Sequence, residues 1–166
     1  MPCWGKLRIA QCGDSIWTLS TVQKLSKSSF RDNTFVRYEL PYISESGQHV
    51  DVVCYGQLNY ILECHLDNNI RYGDLCNSTL LLALIIPCAT NGLDASSQCV
   101  EYKRSLVPII TDLRNIKAAV GRVGTRRHWG IIDCSSDHIQ ITFAELELGA
   151  DARVNDADDA STSDYD

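Results

Sequence analysis

The sequence contains no metal-ligand pair, no phosphate-binding loop and no apolar stretch long enough to cross a bilayer. Its eight cysteines stand at positions 3, 12, 54, 64, 76, 88, 99 and 134, and the closest two are nine residues apart. That spacing excludes the tight Cys-x2-Cys pairs from which structural zinc sites are usually built. Gly121-Arg122-Val123-Gly124 has too few glycines for a phosphate cradle, and no Gly-Lys-Ser/Thr follows it. The longest apolar run is the seven residues Leu80–Ile86, whereas a spanning helix needs about 20. Met1 is followed by Pro, Cys and Trp with no apolar core of a signal peptide, so an intracellular, reducing setting and free thiols are expected. No cofactor, metal, membrane partner or small-molecule substrate is expected from these absences.

What is present is a divided charge. The 166 residues carry 15 basic and 21 acidic side chains, a net of −6. Eight of the acids (Glu145, Glu147, Asp151, Asp156, Asp158, Asp159, Asp164 and Asp166) lie from position 145 onward, against the single base Arg153. Positions 1–144 therefore keep 14 bases and 13 acids and are almost neutral. After Leu148 the chain has no apolar spacing to offset the entropy of ordering, so 149–166 reads as disordered. The expected division is an N-terminal arm and polar loop over 1–34, a β-rich domain over 35–144 and an acidic tail over 145–166. Apolar residues make up 45% of the chain, enough for one domain with its own core.

Period-two alternation dominates the middle of the chain. Val36, Tyr38 and Leu40 alternate with Arg37 and Glu39, and Pro41 ends the run. Val50, Val52 and Cys54 follow a turn at 44–47, and Gly56 is a candidate bulge. Over 57–66, Leu58, Tyr60, Leu62, Cys64 and Leu66 share one face, with Ile61 the exception on the other. Thr79–Ile86 reads as a buried strand, 89–98 as a loop, and 107–113, 129–133 and 139–143 as further strands. Ile116, Ala119, Val120 and Val123 have helical spacing, which predicts a helical turn near 114–121 ended by Gly121. The fold class is mainly β: a small antiparallel barrel or sandwich of about seven strands with one short helical turn.

Two constellations could carry chemistry. Lys103, Arg104, Arg114, Lys117, Arg122, Arg126 and Arg127 fall within 25 residues, opposed only by Asp112. Folding could gather them into a phosphate-binding patch. His128 and Trp129 follow directly, and an aromatic beside arginines can stack on bases. The competing reading is a solvated strand face with Trp129 in the core. Asp133, Cys134 and His138 are close in sequence, but a thiol enzyme needs a base that reaches the sulfur and a site that lowers the thiol pKa, which proximity alone does not supply; a turn between two strands, with Ser135-Ser136-Asp137, fits the segment well. Cys54 and Cys64 are expected in the core, and His49, His65 and His128 on the surface. No catalytic residue is assigned.

Several segments resemble one family together. WGKLRIAQCGDSI (4–16), RDNTFVRYELP (31–41), YGQLNYILECHL (55–66), TLLLALIIPCATNGLDAS (79–96) and TDLRNIKAAVGRVGTRRHWGIID (111–133) are similar, in order and spacing, to a region of large transposon-encoded proteins of basidiomycete fungi. There the region is a C-terminal accessory domain. More distantly, YGQL, DLRNIKAAVGRV and WGIID resemble the small β domain at the end of plant CACTA-type transposases, itself similar to the bromo-adjacent homology domain, a chromatin-associated β-barrel. The resemblance implies a non-catalytic, transposon-derived accessory domain with nucleic acid or a chromatin protein as partner, and a nuclear location. The transposase core of such elements is a separate, larger domain with acidic metal ligands, and nothing here corresponds to it. The alternatives are a protein-interaction or vestigial domain without nucleic-acid binding, and a thiol enzyme using Cys134 and His138.

Overall fold

The computed structural model describes residues 2–10, 13–24 and 32–135. Two short strands, β1 (Cys3–Trp4) and β2 (Lys6–Arg8), open the chain, followed by β3 (Ser15–Trp17) and the single helical turn α1 (Leu19–Val22). Next come β4 (Phe35–Ile43), the 17-residue β5 (His49–His65), a 3-10 segment over Ile70–Leu75, β6 (Thr79–Pro87), β7 (Val100–Tyr102) and β8 (Ile109–Asp112). A 3-10 turn at Leu113–Asn115 leads into β9 (Ile116–Ala119), β10 (Gly121–Gly124) and β11 (Trp129–Ile132).

The chain is thus mainly β, with three antiparallel sheets. The largest runs β8-β6-β5-β4-β9, with β1 also paired to β5. A three-stranded sheet has the order β10-β11-β7, and β2 pairs with β3. Among the described residues the sheets stack as a sandwich and do not close into a barrel: β8 and β9 end the large sheet. The strand count exceeds the seven expected because pairs of two to four residues are too short to show an alternation of their own.

The large sheet is the middle layer. On one face Val36, Tyr38, Leu58, Ile61, Ala83 and Ile85 pack against Ile16, with Leu7 and Ile9 beside them from the N-terminal segment. On the other face Phe35, Tyr55 and Cys88 pack against Tyr102 and Ile131 of the smaller sheet and against Val120 between β9 and β10. Alternation along β4 and β5 supplies both faces, since successive side chains point to opposite sides of a strand.

The structure corrects several expectations. The helical turn expected near 114–121 is confined to Leu113–Asn115. The 3-10 turn ends at Asn115, and β9 and β10 follow. Ile116, Ala118 and Val120 are the buried residues there, and their spacing is two. The Asp112 side chain accepts from the Arg114 N–H and starts the turn. The apparent helical spacing arose because a strand and its successor place apolar residues on alternate faces across a short break.

The bulge in β5 is displaced from where the glycine suggested. Gly56 stays in register with Val36 and Pro87, and the shift falls between Leu58 and Tyr60, at Asn59. Gly56 is required for another reason: a Cβ there would lie 2.5 Å from Ile85 Cγ2 and 2.8 Å from the Ile86 carbonyl oxygen. One extra residue reverses the side-chain phase. Ile61, the apparent exception, is therefore a core residue at 2% exposure, and Tyr60 faces outward at 39%. Trp129 is not in the core either, being 40% exposed. The strand expected over 139–143 and the acidic tail lie outside the described residues.

Candidate nucleic-acid interface

The three-stranded sheet decides where the basic residues go. Between β10 and β11 the chain turns over 125–128. The Thr125 N–H and hydroxyl both donate to the His128 carbonyl, at 2.8 and 3.1 Å. This closed turn puts Arg126 and Arg127 at the exposed hairpin tip. On the other side of β11, Trp129 pairs with Tyr102, so Lys103 and Arg104 continue β7 toward the same end of the sheet. The Ala89 N–H donates to the Arg104 carbonyl at 3.1 Å, and the Leu106 N–H to the Pro87 carbonyl at 2.7 Å, which anchor that extension to the end of β6. A cleft of about 460 Å³ opens there, lined by Ala89, Asn91, Glu101, Tyr102, Lys103, Arg104 and His128.

Four of the seven expected basic residues, Lys103, Arg104, Arg126 and Arg127, thus share one end of a small sheet. Among the described residues none of the four has an acid within ion-pair range. The acid of the cleft, Glu101, is engaged by His128, with Oε2 3.3 Å from Nδ1. The cluster therefore keeps its positive charge free for an anion.

The other three are spent elsewhere. Arg114 sits on the turn between β8 and β9 and grips Asp112 with two side-chain bonds of 2.9 and 2.7 Å. Lys117 in β9 lies 3.9 Å from Glu39. The Arg122 guanidinium is held between two rings, 4.2 Å from the centroids of both Phe35 and Trp129, and donates to Asp32 at 3.1 Å. It braces the small sheet against the large one. The seven residues do not form one patch, because strand direction sends them to different ends and faces.

A polar network centred on Arg37 was not visible in the sequence. Arg37 Nη1 donates to Asp94 at 3.2 Å and to Asp133 at 3.1 Å, and Nη2 lies 3.4 Å from Glu39. The Tyr55 hydroxyl donates to Asp133 at 2.7 Å and accepts from the Ala95 N–H at 2.9 Å. The Ser135 N–H completes Asp133 at 2.9 Å. Burial alone would raise the Asp133 carboxyl, but hydrogen bonds from Ser135, Tyr55 and Arg37 outweigh it and hold the group below the usual carboxylate range. Asp94 is likewise held low, its burial outweighed by Ser96, Arg37 and Tyr55. The Tyr55 hydroxyl is pushed well up by burial and by its bond to Asp133. These contacts span up to 96 residues of sequence. They clamp the end of β11 and the 89–98 loop onto the large sheet.

This clamp engages the acid of the Asp133-Cys134-His138 constellation. Cys134 is exposed, and His138 lies outside the described residues. Of the cysteines expected in the core, Cys54 and Cys64 are partly buried. Burial pushes the Cys54 thiol up against a hydrogen bond from Tyr38, and pushes that of buried Cys88 up against a hydrogen bond from Tyr102 and the charge of Arg122. His49 and His65 are exposed. Among the described residues no three His, Cys, Asp or Glu side chains come together to hold a metal, and no helix is long and apolar enough to cross a membrane.

No family model matches the chain, and no curated protein or solved structure matches it.

Proposed function

We propose that the chain is a non-catalytic binding module that takes nucleic acid by its phosphate backbone at the β10–β11 hairpin. The observation that carries this reading is that Lys103 and Arg104, which line the cleft, share one end of the small sheet with Arg126 and Arg127 of the hairpin tip, with no acid paired to any of them among the described residues. Phosphate contacts by lysine and arginine release condensed counterions, which makes binding strongly salt-dependent. Arginines at a hairpin tip are well placed to reach a backbone without burying their own charge. The resemblance to a transposon-encoded accessory domain points to the same partner class and to a nuclear, mobile-element origin.

The test is oligonucleotide affinity measured across a salt series. The expected log–log slope is on the order of −3 to −4 for four phosphate contacts. Replacing Arg126 and Arg127 with Ala should weaken binding and reduce the slope by about 2. Arg114→Ala, on a different part of the fold, should leave both unchanged. Absence of binding at low salt would overturn the proposal.

A second reading, a protein-interaction module, is favoured by a different surface. Leu84 of β6 pairs with Ile110 on one side and Tyr60 on the other, and Ile110 is 59% and Tyr60 39% exposed. A protein partner held by this apolar row would be released by Ile110→Asp and unaffected by loss of Arg126 and Arg127.

A further inference from the structure

We infer that the preferred ligand of the basic end is single-stranded nucleic acid, with one base stacked on Trp129. This rests on the phosphate-binding reading and specifies which form of nucleic acid that site takes.

The argument begins with how the indole is held. Trp129 opens β11 directly after the basic hairpin tip, and its cross-strand partners are Gly124 and Tyr102. Its ring lies over Gly124: a Cβ at that position would be 3.1 Å from Cζ3 and 3.4 Å from Cη2. A side chain at that position would push the ring outward by a few tenths of an ångström. The Arg122 guanidinium stacks 4.2 Å from the ring centroid and is itself fixed by Phe35 and Asp32. The indole is therefore positioned before any ligand arrives, so little ordering cost remains at the moment of binding.

Despite these contacts Trp129 is 40% exposed. A fixed, solvent-facing aromatic ring three residues from Arg126 is costly to leave bare and useful to cover. A base can cover it, and the guanidinium behind the ring adds a cation–π partner to the stack. The tip arginines would meet the phosphates flanking that base. A duplex keeps its bases stacked on one another and presents mainly its backbone, so the ring gains nothing from it. A single strand offers free base faces to any aromatic platform, with little sequence preference.

The experiment compares a single-stranded oligonucleotide with a duplex of equal length, using the full chain. The single strand should bind about tenfold or more tightly, and Trp129→Ala should remove about that factor on the single strand while leaving the duplex unchanged. Trp129→Phe should retain most of the affinity. In a chain carrying Trp4→Phe and Trp17→Phe, the remaining indole should be quenched by the single strand, a readout that does not depend on the alanine variant folding. If Trp129→Ala is silent, if it weakens both forms equally, or if the indole is not quenched, stacking is refuted. Equal, salt-dependent binding of both forms by the unmodified chain would refute it while leaving the phosphate reading intact. Binding of neither form would overturn both.

Discussion

Arg37→Leu is the sharpest probe of how the two sheets are held together. The Arg37 guanidinium serves Asp133, Asp94 and Glu39 at once. The Asp133 side chain is fully buried, and its other donors are Tyr55 and the Ser135 N–H. Leucine fills much of the volume but leaves a buried carboxylate without its counter-charge. Breaking a buried pair in this way costs about 3–5 kcal/mol, a large share of the roughly 5–15 kcal/mol that holds a domain folded. The melting temperature should fall by about 10 °C or more.

Replacing Asp133 with Asn as well removes the stranded charge, so the double variant should be destabilised by less than the sum of the singles, with a coupling of about 1–3 kcal/mol. The pH dependence gives an independent sign. In the unmodified protein Asp133 and Asp94 are held below their unfolded values. Their contribution is present above the unfolded carboxylate pKa of about 3.9 and is lost as pH falls through the folded values. In Arg37→Leu, Asp133 keeps its bonds from Ser135 and Tyr55 but loses the one from the guanidinium, and the carboxyl moves up. The gap between the folded and unfolded values narrows, so the variant should lose less stability than the parent as pH falls. Urea denaturation between pH 4 and 7 measures all of this. A loss under about 1 kcal/mol, or additive singles with parallel pH profiles, would refute the reasoning.

Other consequences can be checked more briefly. Gly56→Ala should destabilise the fold by about 1–3 kcal/mol, because the new methyl meets the Ile86 carbonyl oxygen and not only a movable side chain; thermal denaturation reads it, and a neutral result would mean the β5–β6 approach is looser than described. Ile61→Ala should cost about 2–5 kcal/mol as a core truncation, and Tyr60→Ala well under that; equal costs, or the reverse order, would place the β5 bulge elsewhere.

The strands over 35–66 were legible because their alternation is long enough for a period of two to repeat, and the strand over 79–87 because a short, wholly apolar run ended by Pro87 fits a buried strand. The short strands were not. Ile116, Ala119, Val120 and Val123 matched a helical stripe only because a four-residue strand is too short to contradict it. The phase of β5 was misread past Leu58 because a bulge has no obligatory residue, and the conspicuous Gly56 is there for close packing against β6. For the site, the sequence showed seven cations in one segment but not that four converge while Arg114, Lys117 and Arg122 are engaged by Asp112, Glu39 and Asp32.

By itself, then, the sequence determined the class: a chain whose long apolar alternations must pair as strands, with no tight pair of metal ligands and no phosphate loop. Those are local properties, set by the identity and spacing of neighbouring residues. Tertiary structure alone decided which charges are free and which are neutralised, because an ion pair depends on distance in space. Arg37 meets Asp133 across 96 residues, while Arg126 and Arg127, adjacent on a closed turn, meet no acid among the described residues. It also decided that Trp129 lies on the surface, held over a glycine and against an arginine, and not in the core its apolar character suggested.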